Sequence, residues 1–153
     1  MNEYMSRESL RHPAIFSERI ISGLGVLLLI AVVAGGCRTA TLYQPPPVSF
    51  FPMETTNVEH AIIAAMAKRG WTASREGPGA MLGTLHLRDH TVVVRITYTK
   101  DSYQIAYVSS ENMQFSKKSN GTEVIHKNYN AWINNLSRDI NAQLIPPGVA
   151  DRR

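Results

Sequence analysis

The fold is decided by the stretch Thr91-Val92-Val93-Val94-Arg95-Ile96-Thr97-Tyr98. Large apolar side chains occupy every second position from Val92 to Tyr98, and most positions between them are polar. A period of two residues is typical of a β-strand that buries one face and exposes the other. The stretch therefore predicts a half-buried strand in a sheet that is covered on one side.

Similar alternating stretches lie on both sides of this strand, at residues 71–75, 81–88 and 103–108. The connections between the four stretches are very short, and turns this short join antiparallel strands. The four strands are therefore predicted to form an antiparallel meander. Its covered face is predicted to be lined by Leu85, Leu87, Val94, Ile96, Ile105 and Tyr107.

One helix is predicted before the meander in the sequence, and a second helix after it. The first helix covers residues 57–69: Thr56 before it has capping-box spacing to Glu59, Thr55 is an alternative cap, and Gly70 ends it. Residues 126–144 have the strongest helical periodicity in the chain, with apolar residues at Tyr129, Trp132, Ile133, Leu136, Ile140 and Leu144. The predicted fold class is α+β: a two-layer sandwich of order α-β-β-β-β-α, with both helices on one face of the antiparallel meander.

A second informative stretch, residues 20–36, is uncharged and mostly apolar. Its seventeen residues would extend about 25 Å as a helix, which is shorter than the roughly 30 Å core of a bilayer. This length fits the apolar region of a signal peptide better than a permanent membrane span. Ala34-Gly35-Gly36 leaves the backbone uncrowded for a peptidase just before Cys37, the only cysteine in the chain.

This stretch resembles the lipobox of bacterial lipoprotein signal peptides, with Ala34 where leucine is usual. The resemblance implies cleavage between Gly36 and Cys37, loss of residues 1–36, and attachment of diacylglycerol and a fatty acid to Cys37. Membrane lipid would then hold the protein at the periplasmic side of the cell envelope. Arg38 is not the aspartate that signals inner-membrane retention in many enterobacterial lipoproteins, so the outer membrane is favoured. Two alternatives remain open: an uncleaved single-pass membrane anchor, and a buried core helix.

Residues 37–55 are predicted to be the lipidated cysteine and a proline-rich tether. Three consecutive prolines, Pro45-Pro46-Pro47, favour an extended chain of about 3.1 Å per residue, which would hold the domain at residues 56–145 on the order of 50 Å from the membrane. Phe50-Phe51 is interpreted either as a first strand or clasp on the domain, or as a contact with a partner or lipid. Residues 146–153 are predicted to be a disordered tail.

A second resemblance covers residues 58–144. It rests on Gly70-Trp71, Pro78-Gly79, Tyr98, Tyr103-x-Ile105-x-Tyr107, Ser110-x-Asn112-Met113 and the run from Ile125 to Ile133. These positions are similar to those of a set of small bacterial lipoproteins to which no activity is assigned. The resemblance therefore implies the domain boundaries and the envelope location, and it implies no chemistry.

Composition and motifs argue against several function classes. The net charge of +4 is dispersed, and the basic pairs Lys117-Lys118 and Arg152-Arg153 are too small for a nucleic-acid surface, so no nucleic-acid partner is predicted. The histidines and carboxylates lack metal-ligand spacing, so neither a metal nor a cofactor is predicted. The sequence contains no Gly-x-Ser-x-Gly or Ser-x-x-Lys motif, and the chain is predicted not to be an enzyme.

The polar residues at the start of the second helix carry the remaining hypothesis. His126 or Asn128 is expected either to cap that helix or to form, with the segment that contains Asn112, a surface for an unknown envelope protein. A non-catalytic interaction or scaffold module is the favoured function, and a periplasmic small-ligand binding domain is the alternative. An apolar pocket with convergent polar groups would favour the ligand, whereas an exposed apolar patch on a solid domain would favour the scaffold.

Overall fold

The computed structural model describes residues 38–145. The predicted signal peptide, its cleavage site at Gly36 and Cys37, and the predicted tail at residues 146–153 lie outside the described residues. Within residues 38–145, no helix has both the length and the apolar character needed to cross a membrane.

The described residues form two helices and eight strands, and the fold class is α+β, as predicted. The elements follow one another as β1 (Thr39–Thr41), β2 (Val48–Ser49), α1 (Thr55–Lys68), β3 (Trp71–Gly77), β4 (Ala80–Leu87), β5 (His90–Tyr98), β6 (Ser102–Glu111), β7 (Ser116–Lys117), β8 (Glu123–His126) and α2 (Asn128–Leu144).

The larger sheet contains five antiparallel strands in the order β2-β6-β5-β4-β3. Strands β3 to β6 are neighbours in chain order because their connections are tight turns. Gly79 makes the β3–β4 turn with a φ of 71°, and a Cβ atom there would lie 2.8 Å from the carbonyl oxygen of Tyr98. Only glycine combines this left-handed backbone with so close an approach.

The predicted order of six elements is incomplete, because the structure adds four short strands. Strands β1, β8 and β7 form a second antiparallel sheet, and β2 extends the larger sheet beside β6. Strands β1 and β2 come from the segment that the sequence assigned to an extended tether. The proline run connects β1 to β2 instead of forming a free spacer. Both are edge strands, and proline is tolerated there because one side of an edge strand needs no backbone donors.

Both helices share one buried cluster with the larger sheet. The helices contribute Val58, Ile62, Ala65, Met66, Tyr129, Ile133, Leu136 and Ile140. The strands contribute Trp71, Met81, Leu85, Val92, Val94, Ile96, Tyr103 and Ile105. Three predicted core residues differ: Leu87, the last residue of β4, is 45% exposed, and Tyr107 and Trp132 are half-buried.

Helix α1 begins without the predicted capping box. Its N-cap is Glu54, which makes no side-chain cap, and the Glu59 carboxylate instead accepts hydrogen bonds from Arg75 and from the Tyr98 hydroxyl. The Glu59 carboxylate therefore ties α1 to strands β3 and β5. These two donors and the charge of Arg75 outweigh the cost of desolvation and lower the pKa of Glu59.

Helix α2 buries a carboxylate that the sequence places on its polar side. Asp139 is 6% exposed and pairs with Arg69 and with Lys68, whose Nζ lies 3.0 Å from Oδ1. A buried charge needs such partners, since desolvation alone would cost several kcal/mol. The Arg69 and Lys68 hydrogen bonds lower the pKa of Asp139 to about 2. This cluster fixes the end of α1 against α2.

Candidate functional site

The three residues singled out as a partner surface come together at one end of the domain. Asn112 follows the last residue of β6, His126 ends β8, and Asn128 begins α2. The two segments are joined directly, because the His126 amide donates a hydrogen bond of 2.7 Å to the Met113 carbonyl. The proximity that the sequence hypothesis required is therefore present, and its role in binding stays a prediction.

Asn112 is held by contacts on both its side chain and its backbone. Its φ of 57° lies in the left-handed region, which asparagine tolerates better than most residues. Its side-chain amide donates a hydrogen bond of 2.6 Å to the Asp89 carbonyl, and its own carbonyl lies 2.9 Å from His90 Nδ1. Asn112 therefore links the β4–β5 turn to the end of β6, which is a structural function.

Asn128 is held differently, because only its backbone is engaged. Its amide donates a hydrogen bond of 3.3 Å to Nδ1 of His126, and its side chain is exposed and makes no hydrogen bond to residues 38–145. Among the three predicted residues, Asn128 is the one whose side chain is free to meet a partner.

The structure adds His90 and Trp132 to the site. The His90 ring lies 5.6 Å from the His126 ring, centroid to centroid and tilted by 30°, and 6.4 Å from the Trp132 ring. We call this region the histidine end: Arg38, residues 88–90, residues 112–113, residues 126–128 and Trp132.

Hydrogen-bond partners fix the neutral forms of both imidazoles. The Asn112 carbonyl can only accept, so the proton of His90 is on Nδ1, and its Nε2 lies 3.7 Å from Asp89 Oδ1. The Asn128 amide can only donate, so the proton of His126 is on Nε2. Among residues 38–145, no group of three or more metal-ligating side chains is placed to hold a metal ion.

Sequence reasoning had no signal for His90. His90 lies four residues after His86 in the sequence, but the two side chains have different partners, since His86 Nδ1 pairs with Thr91 Oγ1 at 3.1 Å. The true neighbour of His90 is His126, far along the chain. Only the pairing of β5 with β6, followed by the contact of Met113 with β8, brings the two rings together.

The chain joins the domain at the histidine end. The Arg38 carbonyl accepts a hydrogen bond of 2.8 Å from the Lys127 amide, and Thr39 pairs with His126. Asn130 secures the next residues, because its side chain accepts a hydrogen bond from the Tyr43 amide and donates one to the Thr41 carbonyl. The backbone immediately after Cys37 is therefore fixed to the start of α2.

An apolar groove lies at the other end of α2. It has a volume of about 360 Å³ and is lined by Val48, Ser49, Phe50, Phe51, Asn141, Leu144 and Ile145. Phe50 is half-buried and packs near Tyr103 with ring centroids 6.5 Å apart, whereas Phe51 is 77% exposed. We call this groove the distal groove. Phe50 therefore packs on the domain, whereas Phe51 faces solvent beside the distal groove.

Comparison of this chain with protein-family models, with curated proteins and with solved structures gave no match.

Proposed function

We propose that this protein is a lipoprotein of the bacterial cell envelope. Residues 1–36 act as its signal peptide, Cys37 carries diacylglycerol and a fatty acid, and the domain faces the periplasm, with the outer membrane favoured over the inner. The domain acts as a non-catalytic interaction or scaffold module for an envelope protein.

The position of the domain boundary carries this proposal. The compact unit that contains all described residues extends from Cys37, and its first strand, β1, begins two residues later at Thr39. Cleavage before Cys37 would therefore leave each described helix and strand complete. Cys37 would become the first residue of the mature protein, and its thiol would carry the lipid at the start of the folded domain.

The surface of the domain supports the interaction role. Large apolar side chains are exposed at Phe51 and Ile145 beside the distal groove, and such patches mark binding surfaces. We also propose the two-layer layout for the domain, with both helices on the same face of the larger sheet. The cluster that both helices share with buried residues of β3 to β6 supports this layout.

The distal groove also favours the second candidate function, a periplasmic binding domain for a small apolar ligand. Its volume of about 360 Å³ lies at the lower end of the range for small-molecule sites. Asn141 and Ser49 supply its polar side chains. Saturable binding of a fatty acid or another small apolar probe, lost in Leu144→Trp but kept in Asn128→Ala, would favour this candidate over the scaffold.

Metabolic labelling with a radioactive fatty acid tests the anchor. We expect the wild-type protein and the control Thr39→Ala to take up label and to fractionate with membranes. Cys37→Ala should take up none and should keep residues 1–36. If the wild-type protein takes up no fatty acid but still fractionates with membranes, the uncleaved single-pass anchor is supported and the proposal is overturned.

A further inference from the structure

The fixed start of the chain determines where a lipid on Cys37 must lie. Neighbouring Cα atoms are about 3.8 Å apart, so Cys37 is at most about 8 Å from Thr39, the first residue of β1. The Arg38 carbonyl between them is bound to the Lys127 amide at 2.8 Å. An anchor at Cys37 therefore has no free spacer, and the histidine end lies beside it.

The side chains at this end combine basic and apolar groups. Arg38, Arg88 and Lys127 are exposed. The acidic residues are Asp89 within the histidine end and Glu111 next to it, so bases outnumber acids even without any charge on the imidazoles. Two exposed apolar side chains belong to the adjoining segments. Leu87, the cross-strand partner of His90, is 45% exposed, and Phe115, three residues after Asn112, is 40% exposed with its ring stacked on Tyr107. Basic and large apolar side chains together are what a headgroup layer binds.

We infer that the histidine end rests on the membrane leaflet that holds Cys37. Anionic phospholipid headgroups contact Arg38, Arg88 and Lys127, while Leu87 and Phe115 enter the boundary between headgroups and acyl chains. This inference rests on the proposed anchor and adds an orientation to it. Helix α2 starts at the membrane, and its seventeen residues, about 25 Å of helix, separate that start from the distal groove, which faces the periplasm.

Amide hydrogen exchange on the intact protein tests this orientation. The full chain is expressed in bacteria, purified from their membranes, and reconstituted in vesicles of phosphatidylcholine alone or mixed with phosphatidylglycerol. Peptides that cover residues 86–91 and 125–130 should exchange about tenfold more slowly in the anionic vesicles, because two to three basic contacts form there. The turn at Lys100-Asp101, at the other end of β5, should exchange equally in both.

Charge reversal supplies the matched comparison. The double variant Arg88→Glu and Lys127→Glu should lose the slowing, whereas Lys100→Glu in the opposite turn should keep it, with equal melting temperatures. Slowing that is absent in wild type, or that persists in the double variant, would overturn the inference. The intact mass of the same sample reports separately whether Cys37 is lipidated. A protein without lipid would contradict the proposed anchor, whereas a lipidated protein without the slowing would contradict only the orientation.

Discussion

At the scale of single residues, Asn112 is the clearest case of a predicted binding residue with a structural function. Asn112→Ala removes the hydrogen bond to the Asp89 carbonyl and places alanine at a φ of 57°. We expect a loss of about 2 kcal/mol of unfolding free energy, one from each effect, and a melting temperature several degrees lower.

Asn128→Ala is the control for this prediction. Its side chain makes no hydrogen bond within residues 38–145, so its stability should stay within about 0.5 kcal/mol of wild type. Thermal unfolding by circular dichroism measures both variants. Equal stabilities would show that the Asn112 contacts contribute nothing.

Tyr129 is buried in the core, and its hydroxyl has no hydrogen-bond partner among residues 38–145. A buried polar group without a partner costs free energy, and burial raises the pKa of Tyr129 for the same reason. Tyr129→Phe should therefore stabilise the domain by about 1 kcal/mol.

Tyr103→Phe is the matched comparison, because the Tyr103 hydroxyl donates to Asn141 Oδ1 at 2.7 Å and lies 2.9 Å from Ser137 Oγ. This variant should lose about 1 kcal/mol. Urea unfolding reports both free energies. A loss of stability in Tyr129→Phe would mean that its hydroxyl is hydrogen-bonded in solution.

Asp139 makes stability depend on pH in the acid range. Arg69 and Lys68 lower its pKa from the ordinary value of 3.8 to about 2, so the folded state binds the proton less readily than the unfolded state. Its contribution is therefore complete above pH 3.8 and is lost as the pH falls towards 2.

Asp139→Asn should remove that part of the pH dependence and lower stability at neutral pH, because Arg69 and Lys68 lose their partner. Urea unfolding between pH 7 and pH 2 measures the difference between the two proteins. Parallel stability curves for wild type and variant across this range would contradict the assignment.

At the scale of elements, the sequence marks the long helices and strands far more clearly than the short strands. Strand β5 and helix α2 carry many residues with a regular period, so hydrophobic patterning finds them. Strands β1, β2, β7 and β8 have two to four residues each, too few for any period. Strand β1 is also held by β8, which lies more than eighty residues away, so no local signal marks it.

The attachment of β1 to α2 depends on one side chain. Asn130 pairs with the Tyr43 amide at 3.0 Å and the Thr41 carbonyl at 2.9 Å. Asn130→Ala should loosen residues 39–43 and speed their amide exchange about thirtyfold, since two hydrogen bonds of about 1 kcal/mol each are lost. Asn134→Ala, an exposed position on the same helix, should leave that exchange unchanged. Identical exchange in both variants would show that β1 is held by its pairing with β8 alone.

At the scale of the whole molecule, the histidine end lies at the start of α2 and the apolar distal groove at its other end, and the sequence indicated only part of the first. His126 and Asn128 could be named because both lie at the predicted start of the second helix, and Asn112 because it lies in the segment after the last predicted strand. His90 and Trp132 could not, since their contacts need the completed pairing of β5, β6 and β8. The predicted tether would have separated the domain from the membrane, whereas the structure starts the first strand two residues after Cys37.

The central claim is that Cys37 is the lipid-bearing first residue of this domain. The most direct measurement is the intact mass of the protein extracted from bacterial envelopes, followed by a fragmentation spectrum of its N-terminal peptide. The account predicts a chain that starts at Cys37 and carries a diacylglycerol and a fatty acid. A chain that keeps residues 1–36 and has an unmodified thiol would contradict it.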